Sequence, residues 1–156
     1  MKRKVITALF FIGFCILLYV FIEKPYSNRH FVTIHGETLA VDLAITDYVR
    51  QKGLMGRQFL GKNSGMLFIF PQSAHLTFWM KNTVLPLSIA FISDQGKITQ
   101  IEKMQPDSYK GKPPEYTSQS KVRYALEVNQ GWFEKNGVQV GDHVSFSRSI
   151  RRANVQ

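Results

Sequence analysis

The sequence predicts a mainly β fold: a compact antiparallel β-sandwich or barrel with two short helices, preceded by one transmembrane helix. Three observations point there. Residues 38–45 and 121–129 alternate apolar and polar side chains, the period of a strand with one face buried. Residues 66–70 (MLFIF) and 87–92 are short apolar runs between turn residues, as in strands covered on both faces. Residues 5–22 carry no charge and follow the basic start Lys2, Arg3, Lys4.

That first run would rise about 27 Å as a helix, close to the thickness of a bilayer core. It leaves through Tyr19, Val20, Phe21 and Ile22 with no pair of small residues at which a signal peptidase would cut, so it reads as an uncleaved signal anchor. Phe14, bulky and directly before Cys15, argues against lipid attachment at that cysteine. The positive-inside rule keeps the N-terminus cytoplasmic and puts the rest in the periplasm or outside the cell, on a single-pass inner-membrane protein. The expected organisation is an anchor over 1–24, a stalk over 25–30, one β domain over 31–147 and a basic tail over 148–156.

Within the domain, residues 31–34 and 38–45 form a hairpin around His35-Gly36-Glu37, with Leu39, Val41, Leu43 and Ile45 inward. Thr46 or Asp47 caps a helix that runs to about Lys52 and stops at Gly53. The strand at 66–70 ends at Pro71. Strands follow at 75–81 and 87–92, with a bend at Asn82-Thr83. Residues 97–104 space Ile98, Ile101 and Met104 by three, which suggests a β-bulge. Residues 105–120 form the longest loop. In 121–129, Val122, Tyr124, Leu126 and Val128 face one way, and Arg123, Ala125 and Glu127 the other. A second helix over 130–136 and a last strand over 143–146 complete the domain.

Composition excludes several classes of chemistry. The only cysteine is Cys15, inside the apolar run, so the folded part has no disulfide, cysteine nucleophile or thiolate metal site. The formal charge of +9 is spread along the chain without a reading helix or zinc-finger spacing, so no specific nucleic-acid partner is expected. There is no phosphate loop and no G-x-S-x-G elbow. His30, His35, His75 and His143 are scattered without metal-ligand spacing, and no metal or cofactor is expected. Met55, Met66, Met80 and Met104 suit Cu(I) as thioethers, but core packing is the simpler use of methionine in apolar strands.

The segments GLMGR (53–57), GMLFIF (65–70), FWMKNT (78–83), PLSIAFI (86–92), LEVNQG (126–131) and VGD (140–142) run in the order found in a bacterial and archaeal family. The chain resembles that family, domain of unknown function 192 (DUF192), across roughly 32–146. The resemblance implies a compact, mostly β domain, often secreted or anchored, and supplies no reaction. It implies an acidic residue where this chain has Ser88.

The polar residues beside those segments are the candidate ligand site: Arg57, Lys81, Asn82, Thr83 and Glu127. Arg57 offers a bidentate fork for an anion, and Lys81 to Thr83 supply donors at a strand end. Glu127 pairs with Arg57 or Lys81 in this reading; the bland alternative for each residue is a surface ion pair or a turn. The expected function is a monomeric, membrane-anchored binding or accessory domain for a small polar or anionic ligand or an envelope component. The alternatives are an envelope hydrolase or transferase using Glu127, and Cu(I) handling through the methionines.

Overall fold

The structure, a computed structural model, describes residues 30–106 and 113–153. It is mainly β, with one curled sheet shaped as a half-barrel. The strands are β1 (His30–Ile34), β2 (Glu37–Ala44), β3 (Ser64–Ala74), β4 (Thr77–Trp79), β5 (Leu87–Ile92), β6 (Ile98–Met104), β7 (Glu115–Thr117), β8 (Val122–Asn129) and β9 (Ser145–Phe146). The helices are α1 (Asp47–Lys52), α2 (Trp132–Lys135) and α3 (Arg148–Arg151). Seven strands form one sheet in the order β6-β5-β8-β3-β2-β1-β9, and β4 pairs with β7 in a separate ribbon.

The local signals explain most elements. His35 and Gly36 both have positive φ (54° and 82°), the backbone of a two-residue hairpin turn whose twist suits β1 and β2. Thr46 accepts the Val49 N–H at 3.3 Å at the start of α1, and the Gly53 N–H closes its end on the Val49 carbonyl at 2.8 Å. The bulge expected in 97–104 is present. Phe91 pairs with Gln100 and Ile92 with Ile98, which leaves Thr99 as the extra residue of β6.

Five expectations need correction. The stretch expected as a loop over 105–120 contains β7, which pairs with β4. The sheet is not wholly antiparallel: β2 and β3 run parallel, because α1 and the loop after it carry the chain back across the sheet between them. The second layer is a two-stranded ribbon with loops, not the second full sheet of a sandwich. β3 does not end at Pro71. It continues to Ala74 with its pairing to β8 interrupted between Ile69 and Ala74, where proline has no N–H to give the ladder. A third helix, α3, occupies the start of the basic tail. No helix among the described residues is long and apolar enough to cross a membrane; the expected anchor over 5–22 lies outside the described residues.

The sheet is buried on both sides. Leu67, Ile69, Leu126 and Val128 join one cluster with Trp132 and Phe133 of α2, Val144, and Ile150 of α3. Met66, Phe68, Leu87, Ile89 and Ala125 join a second with Leu54, Leu60, and Phe78 and Met80 of the ribbon side. Alternating residues of the central strands therefore feed opposite clusters. The face of β8 that carries Ala125 and Glu127 is core, not solvent.

Candidate functional site

A cavity of about 360 Å³ opens in the second cluster, between the sheet and the layer made by α1 and the ribbon. Phe68, Phe78, Met80 and Leu87 line its apolar part, and Arg50, Phe70 and Trp79 line its sides. Phe78 is fixed by edge-to-face contacts with Phe68 (4.9 Å between centroids, 87°), Phe70 (6.4 Å, 79°) and Phe91 (5.9 Å, 66°). Such a hub holds the ring wall in one arrangement.

Glu127 lies at the centre of this apolar surround. On β8 it stands opposite Met66 of β3 and Ile89 of β5, so both lateral neighbours are apolar. Gly65 lets β3 approach closely here, since a Cβ on it would sit 2.5 Å from the Glu127 carbonyl oxygen. The Glu127 side chain is 4% exposed and lines the cavity. It makes no ion pair among the described residues. Burial in this apolar setting pushes its carboxyl up to about 8, so it is a neutral acid at neutral pH and can donate a hydrogen bond.

Arg50 builds the polar side of the cavity. Its guanidinium donates to the carbonyls of Ile45 (2.6 Å) and Ile69 (2.8 Å) and to Asp47 Oδ1 (2.6 Å), and it lies 5.0 Å from the centre of the Phe70 ring. The charge is thus committed to holding α1 against β3. Asp47, Lys52 and Glu115 are the other charged lining residues.

The residues proposed from sequence are divided by the structure. Thr83 and Glu127 line the cavity. Thr83 is buried; its N–H donates to the Met80 carbonyl (3.0 Å) and its hydroxyl to the Lys81 carbonyl (3.2 Å). Arg57 turns to β2 instead and pairs with Asp42 at 2.6 Å, half-exposed. Lys81 is exposed, with Nζ 5.9 Å from the centre of the Trp79 ring. Asn82 is exposed at φ 52° and accepts the Gly56 N–H at 2.9 Å through its carbonyl. The loops of Arg57 and Asn82 are therefore adjacent, but neither side chain lines the cavity. The ion pair expected for Glu127 with Arg57 or Lys81 is absent, because Arg57 pairs with Asp42 and Lys81 stays at the surface beside Trp79, both outside the cavity that Glu127 lines.

Sequence reasoning missed Arg50 and the rings as lining residues. The available signal was Glu127 itself, a lone acid on a strand whose partners, 66–70 and 87–92, are apolar on both faces. Every segment that carries the family resemblance, apart from VGD, contributes a lining residue: Gly53 to Met55, Phe68, Phe78 to Met80, Leu87 and Glu127 among them. Asn129, in the LEVNQG segment, ties the 60–61 loop to β8 through the carbonyls of Leu60 (3.2 Å) and Gly61 (2.9 Å).

Fold and cavity together define a curled-sheet β domain with a buried acid in an aromatic pocket. The chain belongs to the DUF192 family, whose model, described as Uncharacterized ACR, matches residues 30–146. Similar solved structures include the following two. One is a protein from Sinorhizobium meliloti 1021 provisionally described as a transcription regulator, 35% identical with a TM-score of 0.69, covering 76% of this chain and 93% of its own. The other is a protein of unknown function from Novosphingobium aromaticivorans DSM 12444, 31% identical with a TM-score of 0.69, covering 78% of this chain and 89% of its own. No functionally curated protein matches this chain.

Proposed function

We propose that this domain binds a small molecule with an apolar body and one polar group, the polar group resting against Glu127. The observation that carries this is a nine-tenths-buried carboxyl, without an ion-pair partner among the described residues, facing a ring-lined cavity of about 360 Å³. Small-molecule sites combine an apolar surround with a few placed polar groups in this way. An anionic ligand is the weaker half of the sequence expectation, since Arg57 is spent on Asp42 outside the cavity and Arg50 on backbone carbonyls and Asp47.

The test is a fragment panel screened by ligand-observed NMR against the full-length protein in detergent. Binding should be lost in Met55→Trp, which fills the cavity from a half-buried lining position. Absence of any fragment that wild type binds and this variant does not would defeat the reading.

A second reading, general acid or base catalysis by Glu127, is favoured by the raised carboxyl in a concave site. Glu127-dependent conversion of a bound fragment would establish it; recovery of every bound fragment unchanged supports binding alone. Copper handling has less support, because Met66, Met80 and Met104 pack among apolar side chains of the second cluster.

The proposal includes an anchored domain outside the cytoplasm, resting on the uncharged run over 5–22 and the basic residues before it. Protease added to spheroplasts should clip the stalk over 25–30 or digest the domain. A soluble form lacking 1–24 would show cleavage and remove the anchor.

A further inference from the structure

We propose that the cavity takes an organic cation, a substituted ammonium with a compact apolar body, held against Phe68 and Phe78 and countered by the Glu127 carboxylate. This rests on the small-molecule reading above and names its ligand class. Four aromatic rings line one cavity of about 360 Å³ together with a buried acid; Phe70 already meets Arg50 at 5.0 Å and Trp79 meets Lys81 at 5.9 Å, which leaves Phe68 and Phe78 for the ligand. Ring faces attract cations, and alkylammonium groups are weakly hydrated enough to leave water for such a site.

Among the described residues no base pairs with Glu127. The groups around its carboxyl on β3 and β5, Met66 and Ile89, are apolar, as are Phe78 and Met80 across the cavity. Besides Glu127, the charged groups facing the cavity among the described residues are Asp47, Arg50 and Lys52 of α1 and Glu115 of β7. Arg50 is engaged by the Ile45 and Ile69 carbonyls and by Asp47, and Lys52 is exposed at the edge. Among the described lining residues these two acids and two bases cancel, so ionised Glu127 leaves them with one net negative charge for a cation to meet. An anion would find that charge repulsive.

Binding then exchanges one positive charge for another: the ammonium enters and the Glu127 proton leaves to solvent. Below the pH at which the empty site ionises, about 8, each step down in pH makes that exchange harder. Affinity for a permanently charged cation should fall by about tenfold per pH unit in that range.

The experiment uses the full-length protein in detergent and two probes of one shape: benzyltrimethylammonium and its uncharged isostere neopentylbenzene. Dissociation constants are measured from pH 6 to pH 9 by calorimetry and by tryptophan fluorescence, in a Trp132→Phe background so that Trp79 alone reports. The cation should bind at least tenfold tighter than the isostere at pH 9 and lose that lead as pH falls, with the isostere unaffected. Glu127→Gln should bind both probes alike at every pH. The wild-type pH series and probe pair decide the matter even if that variant misfolds. Equal or tighter binding of the isostere throughout would overturn the cation while leaving the small-molecule reading standing. Failure of both probes, with fragments still bound in the Met55-sensitive manner, would overturn the cation alone. Failure of probes and fragments together would overturn both.

Discussion

Ser88 and Glu127 lie on opposite faces of the same sheet. Ser88 is paired with Val128 and Glu127 with Ile89 in the β5–β8 register, so the two side chains diverge although their strands are neighbours. The Ser88 hydroxyl accepts the Gly131 N–H at 3.4 Å on the side of α2, away from the cavity. The departure of this chain from the acidic residue implied by the family resemblance therefore leaves the Glu127 site intact.

Replacing Ser88 by Ala should cost about 0.5–1.5 kcal/mol, the range for one long hydrogen bond in a buried setting. It should leave the titration of the Glu127 carboxyl unchanged. Urea melts measure the first, and carboxyl NMR of a labelled glutamate measures the second.

Stability should fall with pH through Glu127. Its unfolded carboxyl ionises near 4.5, while burial keeps the folded one protonated up to about 8. Between those values the folded state holds the extra proton, so rising pH favours unfolding, with the loss complete near 8. The cost is at most about 5 kcal/mol. Glu127→Gln, which does not ionise, should remove this slope. Urea denaturation of both proteins from pH 4 to pH 9 should show wild type losing ground to the variant; parallel curves would contradict it.

Arg50→Ala should destabilise by about 2–4 kcal/mol, since it leaves the Ile45 and Ile69 carbonyls without their donor and unhooks α1 from β3. Arg50→Lys should recover only part, because an ammonium cannot span those acceptors as the planar fork does. Asp47→Ala should cost under about 1 kcal/mol, as the acid is exposed. Chemical melts of the three variants test the ranking.

Arg57→Ala should cost less than about 1 kcal/mol, because its pair with Asp42 is half-exposed. It should leave fragment binding unchanged, in contrast to Met55→Trp. A loss of binding comparable with that of Met55→Trp would return Arg57 to the site.

Asn82→Gly should be tolerated better than Asn82→Ala by about 1 kcal/mol, because φ is 52° there and the Gly56 N–H to Asn82 carbonyl bond survives both changes. Thermal melts of the two variants test this.

By itself the sequence determined the elements whose cause is local. Alternation placed β2 and β8, Thr46 and Gly53 bounded α1, and the three-residue spacing in 97–104 disclosed the bulge. Each depends on neighbours within a few residues, where period and capping chemistry act. It also showed the family, through segments that keep their order along the chain. Tertiary structure alone decided the parallel pairing of β2 with β3, and the placing of a ribbon rather than a second sheet over β8. It also decided the fate of the charged candidates. Arg57 and Arg50 look alike in sequence, yet one reaches Asp42 and the other two carbonyls beside the cavity. Glu127 reads as the polar side of an alternating strand, and what makes it a buried acid is the layer folded over that side. Desolvation is a property of everything within a few ångströms of a carboxyl, and those atoms come from β3, β4, β5 and α1, far apart along the chain.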